Sequence, residues 1–195
     1  MHGLLNRAIQ YFVCETHGSA QWEMIASEVG VESRNFEAFL AYDPHLTDLL
    51  FDVGAERLGV PRMMLMEDLG TFMVSHPGLE SLRRLMRFGG ETFLEFLYSL
   101  EDLPGRARLA VPDLDVPELE LEEDSVEGFV LHCRGGWPGL GYVLQGVLRA
   151  MADDYGALVY LDVVEERPDG STLRICLLDT RFAEGRAFSL KGPGR

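Results

Sequence analysis

The side chains that could perform chemistry are few in this sequence and stand mostly alone. Cysteine and histidine are the residues that most often hold metals, and a metal site needs several of them at suitable spacing. The three cysteines, Cys14, Cys133 and Cys176, lie far apart and are odd in number, so they predict neither a zinc site nor a disulfide framework. No two of the five histidines show the spacing of a metal-binding pair.

The sequence also lacks the patterns of common active sites. It contains no glycine-rich phosphate loop and no Gly-x-Ser-x-Gly. Adjacent carboxylates occur at Asp153-Asp154 and Glu165-Glu166, but neighbouring side chains on a helix or strand point apart. Such pairs do not converge on one substrate, so we expect that the chain is not an enzyme.

The elements that would have to position a site change character along the chain. From residue 4 to about 101, apolar residues recur at helical spacing, as between Leu46 and Val53, which predicts a series of helices. A short helix is expected around residues 36–42. Pro104 and Gly105 are expected to end the helical half.

In the second half the period of the apolar residues changes to two. Leu119 and Leu121 alternate with glutamates, which predicts a half-buried strand. A second strand is expected around residues 129–133, then a helix over 139–153, then two strands around a turn at 167–170. This order predicts an α+β fold, in which an N-terminal helical subdomain packs on a C-terminal β-β-α-β-β subdomain with a four-stranded antiparallel sheet.

Composition and charge exclude several kinds of partner. The 195-residue chain is 47% hydrophobic and 25% charged, which is typical of a globular domain. Its net charge of −15 repels polyphosphates, so we expect no nucleic acid and no anionic membrane as partner. Five arginines come closest to a basic patch: Arg83, Arg84, Arg87, Arg106 and Arg108. The helical spacing of the first three predicts a solvated face. No apolar run reaches the roughly 18 residues of a membrane span. The unpaired cysteines suit a reducing cytoplasm.

Three segments share their order and spacing with a known family. They are the opening MHGLLNRAIQ, with His17-Gly18 and Trp22 after it, the segment FLYSLEDLPGRARLAVPDLDVP, and FVLHCRGGWPGL followed by a helix and a hairpin. On these segments the chain resembles the heme–nitric oxide/oxygen binding (H-NOX) family. The resemblance implies one H-NOX-like domain over residues 1–180, with a helical subdomain at 1–103, an α/β subdomain at 111–180, and a C-terminal tail at 181–195.

The resemblance also implies a gas sensor. Members of the family hold a heme between the helical half and the α/β half. They bind nitric oxide or oxygen there and pass the state of the heme to a signalling protein, such as a histidine kinase or a nucleotide cyclase. Heme and a partner of this kind are therefore what membership of the family implies for this chain.

The first family motif is the histidine that ligates the heme iron. In the family it follows a leucine, and prolines stand eight and thirteen residues after it. Pro112 and Pro117 stand at those offsets from Pro104, so Pro104 occupies the axial-ligand position. Proline has no side-chain donor, and the neighbouring Leu103 and Gly105 are not iron ligands either.

The second family motif is Tyr-x-Ser-x-Arg, which holds the heme propionates. Its positions correspond to Cys133, Gly135 and Trp137, so all three family side chains are absent. Arg134 stands three places early, and an odd shift on a strand turns a side chain to the other face. Because the two motifs act on opposite ends of one cofactor, we expect a degenerate heme site.

Other residues are weaker candidates for an iron ligand. His76 is the most interesting histidine, because it ends the helix that lines the distal side in the family. Cys133 could provide a thiolate, although a cysteine on a strand is more often a small buried apolar residue. The remaining histidines fit surface or capping positions: His2, His17, His45 and His132.

The family positions that line the heme fall mostly on apolar residues. Such a set suits a buried ligand, or its members pack directly on one another, with the large Trp137 and the methionines of 63–73 as filler. The positions are Leu5, Ile9, Met73, Pro117, Cys133, Trp137, Tyr142 and Gly146.

Two functions are compatible with these residues. The first is a sensory, signal-transduction domain with a degenerate heme site, which acts through a protein partner and binds either no ligand or another apolar one. The alternative is a working nitric oxide or oxygen sensor whose heme is held by a non-family ligand, His76 or Cys133.

Overall fold

A computed structural model describes residues 3–31, 36–111, 114, 116–125 and 128–188. His2 and Pro112, which the sequence analysis singled out, lie outside these ranges. Short 3₁₀ turns at Pro77–Leu79 and Ser99–Asp102 join some of the helices. Within the described ranges, no helix is long and apolar enough to cross a membrane. The α-helices are α1 (Gly3–His17), α2 (Ser19–Val29), α3 (Pro44–Leu58), α4 (Arg62–Ser75), α5 (Glu80–Arg87), α6 (Phe93–Tyr98), α7 (Leu103–Ala110) and α8 (Leu140–Tyr155).

Local capping explains where two of the helices begin. Helix α3 starts with Pro44, and the Asp43 carboxylate accepts a hydrogen bond from the His45 N–H at 2.9 Å. Helix α6 starts with a capping box in which Thr92 and Glu95 each accept from the other's backbone N–H. Both devices satisfy N–H groups that have no partner inside the helix.

The second half forms one antiparallel sheet, as the sequence predicts. Its strands are β1 (Glu118–Glu123), β2 (Gly128–Arg134), β3 (Leu158–Arg167) and β4 (Gly170–Asp179), in the order β1-β2-β4-β3. Helix α8 carries the chain from β2 across one face of the sheet to its far edge, and β3 and β4 form a hairpin. The α+β fold with a four-stranded antiparallel sheet is therefore confirmed.

Buried side chains gather in two clusters. The helical core is built mainly by α1 to α4, around Phe12, Phe51 and Leu69. The sheet core lies between the sheet, α6 and α8, around Phe96 and Leu131. Helix α8 contributes to both, with Val143 in the helical core and Val147, Leu148 and Met151 in the sheet core.

Helices α4 and α8 meet backbone to backbone. A Cβ atom placed on Gly146 would overlap the Glu67 carbonyl and come within 2.8 Å of the Thr71 nitrogen. A Cβ atom on Gly70 would overlap the Val143 carbonyl and lie 3.0 Å from the Val147 nitrogen. Only glycine permits so close an approach. These two glycines therefore set the distance between the helical half and α8.

Two sequence-based boundaries are wrong. Pro104 does not end the helical half: it lies in the first turn of α7, where a missing N–H costs no hydrogen bond, and the helix continues to residue 110. Residues 36–42 form a turn rather than a helix. There the Leu40 carbonyl accepts a hydrogen bond from the Gly3 N–H at 2.8 Å. The rings of Phe36 and Tyr42 pack edge to face with their centroids 5.1 Å apart.

The expected solvated arginine face is also wrong for two of its three members. The Arg83 and Arg87 side chains are only 10% and 11% exposed to solvent, because both turn toward the buried carboxylate of Asp154. Arg84 alone behaves as expected and pairs with the exposed Glu80 one turn away.

We expect Gly146→Ala to lower the free energy of unfolding by about 1–3 kcal/mol, because the added methyl group must push α4 away from α8. Urea unfolding followed by circular dichroism measures this. Gly105→Ala is the matched control, since a Cβ atom there meets nothing within 4 Å. The control should be unchanged or up to about 1 kcal/mol more stable. Equal stability of Gly146→Ala and the native chain would contradict the close helix contact.

Candidate functional site

Pro104, which the family resemblance places at the axial-ligand position, is buried in the structure. Pro104 lies at the start of α7, beside Leu103, which is 6% exposed and belongs to the sheet core. Arg106, two residues later on the helix, donates to the Ser99 carbonyl at 3.0 Å. This position therefore presents carbon atoms only.

The loop before α8, residues 135–139, corresponds to the second motif. Gly135, Gly136 and Gly139 all have positive φ, between 82° and 92°, which few other residues tolerate. The Gly139 N–H donates to Oε1 of Glu166 on β3 at 2.7 Å. The carboxylate of Glu166 thus caps the N-terminus of α8, which no side chain of the helix itself does.

One oxygen of the Glu166 carboxylate is enclosed. Its Oε2 atom is buried without a hydrogen-bond partner. A Cβ atom on Gly141 would lie only 2.7 Å from this oxygen and 2.8 Å from Ser171 Cβ. Burial raises the pKa of Glu166, although the hydrogen bond from Gly139 acts in the opposite direction. The chain's own carboxylate therefore occupies the N-terminal end of α8.

The polar side chains of strand β2 point to opposite faces of the sheet. Cys133 is 3% exposed in the sheet core, and burial raises the pKa of its thiol to about 11, against the effect of a Ser171 hydrogen bond. Arg134 points to the outer face and pairs with Glu120 at 2.5 Å. His132 also lies on that face, 3.4 Å from Glu122. Cys133 is thus a neutral thiol, and Arg134 is turned away from it.

His76 is held by its neighbours at the end of α4. Its ring stacks on Phe72 with the centroids 4.5 Å apart. Its Nδ1 accepts from the Gly78 N–H at 3.2 Å and lies 3.3 Å from the Tyr11 hydroxyl, and its Nε2 lies 3.7 Å from Glu15. Both ring nitrogens therefore already have polar neighbours near the protein surface.

The other described histidines have no common site. His17 ends α1 and meets the Phe12 ring edge-on at 5.9 Å. His45 lies in the first turn of α3 and is exposed. Over the described ranges, no group of three or more His, Cys, Asp or Glu side chains could hold a metal ion.

The predicted lining positions are divided between the two cores. Trp137 is stacked on Phe51 with the ring centroids 5.6 Å apart and the planes 17° from parallel. Cys133 lies in the sheet core, Gly146 lies at the contact of α8 with α4, and Pro117 is buried beside Gly136. The remaining positions join Trp137 in or against the helical core: Leu5, Ile9, Met73 and Tyr142.

Two clefts are open at the surface. One, of about 820 Å³, lies along α2 and includes Glu23, Glu28 and Arg57. The other, of about 260 Å³, lies at the β3–β4 turn and includes Arg167 and Cys133. Cys133 is the one predicted lining position that borders either cleft.

The residues present do not fit a heme bound in the family's manner. The axial position has no donor. Two arginines on the strands beside the loop before α8 are already paired, Arg134 with Glu120 and Arg167 with Glu165. A propionate at this loop would meet the Glu166 carboxylate in place of an arginine.

The role of Glu166 could not be predicted from the sequence. There Glu166 stood out only as one of two adjacent carboxylates, since no local pattern places β3 beside the start of α8. The contact arises because α8 crosses the sheet and β3 returns along its edge.

Comparison with curated proteins finds cyclases. Over 154 residues the chain is 26% identical to the soluble guanylate cyclase gcy-31 of Caenorhabditis elegans. The matched region covers 79% of this chain and 22% of that protein. Over 170 residues it is 22% identical to the soluble guanylate cyclase 89Db of Drosophila melanogaster. That match covers 87% of this chain and 25% of the fly protein. The chain therefore spans about a quarter of the length of the curated relatives it matches.

Comparison with solved structures finds the same fold. An H-NOX protein from S. oneidensis in the Fe(II) ligation state superposes with a TM-score of 0.79 at 15% identity, covering 93% of this chain and 98% of that one. An unliganded Fe(II) H-NOX protein mutant from K. algicida gives a TM-score of 0.71 at 16% identity, covering 92% and 97%. The family model described as Haem-NO-binding matches residues 2–163. The chain belongs to the Haem-NO-binding family.

Proposed function

We propose that this chain is a Haem-NO-binding sensor domain with a degenerate heme site, which signals through a protein partner. The observation that carries this proposal is the buried Pro104 at the axial-ligand position. An iron ligand must offer a lone pair, which imidazole, thiolate and phenolate groups have and a proline ring lacks. The fold of the family is kept, while the group that would bind iron is not.

The other end of the site supports the same proposal independently. Glu166 already accepts from the Gly139 N–H, and its second carboxylate oxygen is buried. A heme propionate entering here would bring a second negative charge within a few ångströms of the first, and like charges at such distance repel. No family arginine stands at position 137 to offset that repulsion.

Packing favours a cofactor site that is filled by the chain's own side chains over one that holds another apolar ligand. Trp137 covers Phe51, and Ile9 is 2% exposed in the helical core. These side chains already have apolar partners, so burial of a ligand would first require their separation. We therefore propose that the lining positions pack on one another.

The partner we propose is a nucleotide cyclase. The curated relatives are soluble guanylate cyclases, and this chain matches only part of their length. The chain would then act as a sensor module and not as the catalyst. A histidine kinase, implied by the family resemblance alone, is a second candidate partner. We place the module in the cytoplasm, where its cysteines, which are free in the structure, would remain reduced.

We expect no stoichiometric heme binding when hemin is added to the purified chain. Absorbance titration should show only the broad band of free and non-specific hemin, with no saturation at one equivalent and no shift with nitric oxide. A sharp Soret band that saturates at one equivalent and shifts with nitric oxide would overturn the proposal.

Two single variants separate the alternative ligands. If heme does bind through His76 or Cys133, then either His76→Ala or Cys133→Ala should abolish the Soret band. Under our proposal both variants should give the same hemin titration as the native chain.

We expect Glu166→Ala to cost about 1 kcal/mol of stability, as loss of a helix N-cap does. Glu166→Gln should cost less, because its amide oxygen can still accept from Gly139.

The raised pKa of Glu166 in the folded chain means that its carboxyl group stabilises the fold below pH 4.5 and loses this contribution as the pH rises through the folded pKa. Glu166→Gln should lack that loss. Urea unfolding of the native chain and both variants between pH 4 and 8 tests this. A stability cost of Glu166→Gln equal to that of Glu166→Ala would exclude the cap.

A further inference from the structure

The C-terminal end of α8 carries a buried ion cluster that the heme site does not involve. Asp154 is 2% exposed. The Arg83 Nε atom on α5 donates to its Oδ1 at 2.8 Å, and Arg87, one turn later, lies 3.6 Å from its Oδ2. Removing one partner from such a cluster leaves a buried charge uncompensated. The cluster therefore ties α5 of the helical half to α8 of the sheet half.

The chain returns to this cluster after the last strand. Residues 183–188, which we name the strap, run back along the end of α8. The Ala183 N–H donates to the Gly156 carbonyl at 3.0 Å, and the Arg186 N–H donates to the Asp154 carbonyl at 2.9 Å. The Arg186 side chain approaches the Asp154 carboxylate at 3.8 Å. The strap is thus bound through its backbone and not only through surface side chains.

Glycines make this close contact possible on both sides. A Cβ atom on Gly156 would overlap the Ala183 carbonyl, and one on Gly185 would lie 2.7 Å from the Asp154 carbonyl. Gly185 is not in the left-handed region, so steric space is the reason for its being glycine. The strap and the end of α8 therefore fit each other closely.

The same arginines also hold the strap. Arg83 donates to the Ala187 carbonyl at 3.4 Å. The Arg87 guanidinium lies 3.8 Å from the Tyr155 ring centroid on one side and 5.0 Å from that of Phe188 on the other. Both are cation–π contacts within the favourable distance. Arg83 and Arg87 thus each have one partner on α8 and another on the strap.

We propose that the strap is a conformational latch, docked on the end of α8 only while α5 is seated there. Since Arg83 and Arg87 serve both contacts, displacement of α5 removes the partners of Ala187 and Phe188, and release of the strap removes partners from α5. Coupling of this kind is reciprocal. The strap therefore reports the position of α5 relative to α8 to the chain that follows it. This inference does not depend on whether heme binds.

The test is hydrogen exchange of the full chain carrying Gly185→Ala, a substitution that alters no side chain of α5 or α8. We expect the Ala183 and Arg186 amides to lose protection by about 10-fold or more, with a smaller loss along α5. Gly105→Ala is the matched control and should leave both regions unchanged.

A second variant tests the coupling from the other side. Arg83→Gln should reduce protection of the same strap amides, although residue 83 lies on α5. Arg84→Gln, which removes only the exposed pair with Glu80, should not. The proposal is overturned if the strap amides exchange freely in the native chain. It is also overturned if Gly185→Ala frees the strap without any change along α5, or if Arg83→Gln leaves the strap protected.

Discussion

The structure depends on the backbone contact between α4 and α8. Gly70 and Gly146 let the two helices approach until carbonyl groups of each helix face the glycine of the other. The Thr71 hydroxyl donates to the Gly146 carbonyl at 3.3 Å across the same contact, and Glu67 forms an ion pair with Arg149 there. Because α8 also lies on the sheet, this one contact joins the helical core to the sheet core.

Each end of α8 is then fixed by a different electrostatic interaction. Glu166 from β3 caps the N-terminus, where the helix dipole favours negative charge. Asp154 near the C-terminus takes two arginines from α5. We propose that the first interaction takes the place of a heme propionate at this end of the helix. The second joins α5 and the returning strap to the helix.

Much of the fold could be predicted from particular residues. The alternation of Leu119 and Leu121 with glutamates predicts β1, and the glutamates on that strand do face outward. Pro104 misled the prediction, since proline ends helices in their interior but is tolerated in the first turn. Which of these applies depends on where the helix begins, and Pro104 itself does not show that.

The candidate site, too, could be predicted only in part. The missing donors can be named from the residues alone. Proline at position 104 and cysteine, glycine and tryptophan at positions 133, 135 and 137 do not offer the imidazole, hydroxyl and guanidinium groups that the family uses. Strand periodicity also put Arg134 and Cys133 on opposite faces. The contacts of Glu166 with the start of α8 and of Asp154 with Arg83, in contrast, arise from tertiary packing. Those contacts join residues 27 and 71 positions apart, and no local pattern of residues encodes such a pairing.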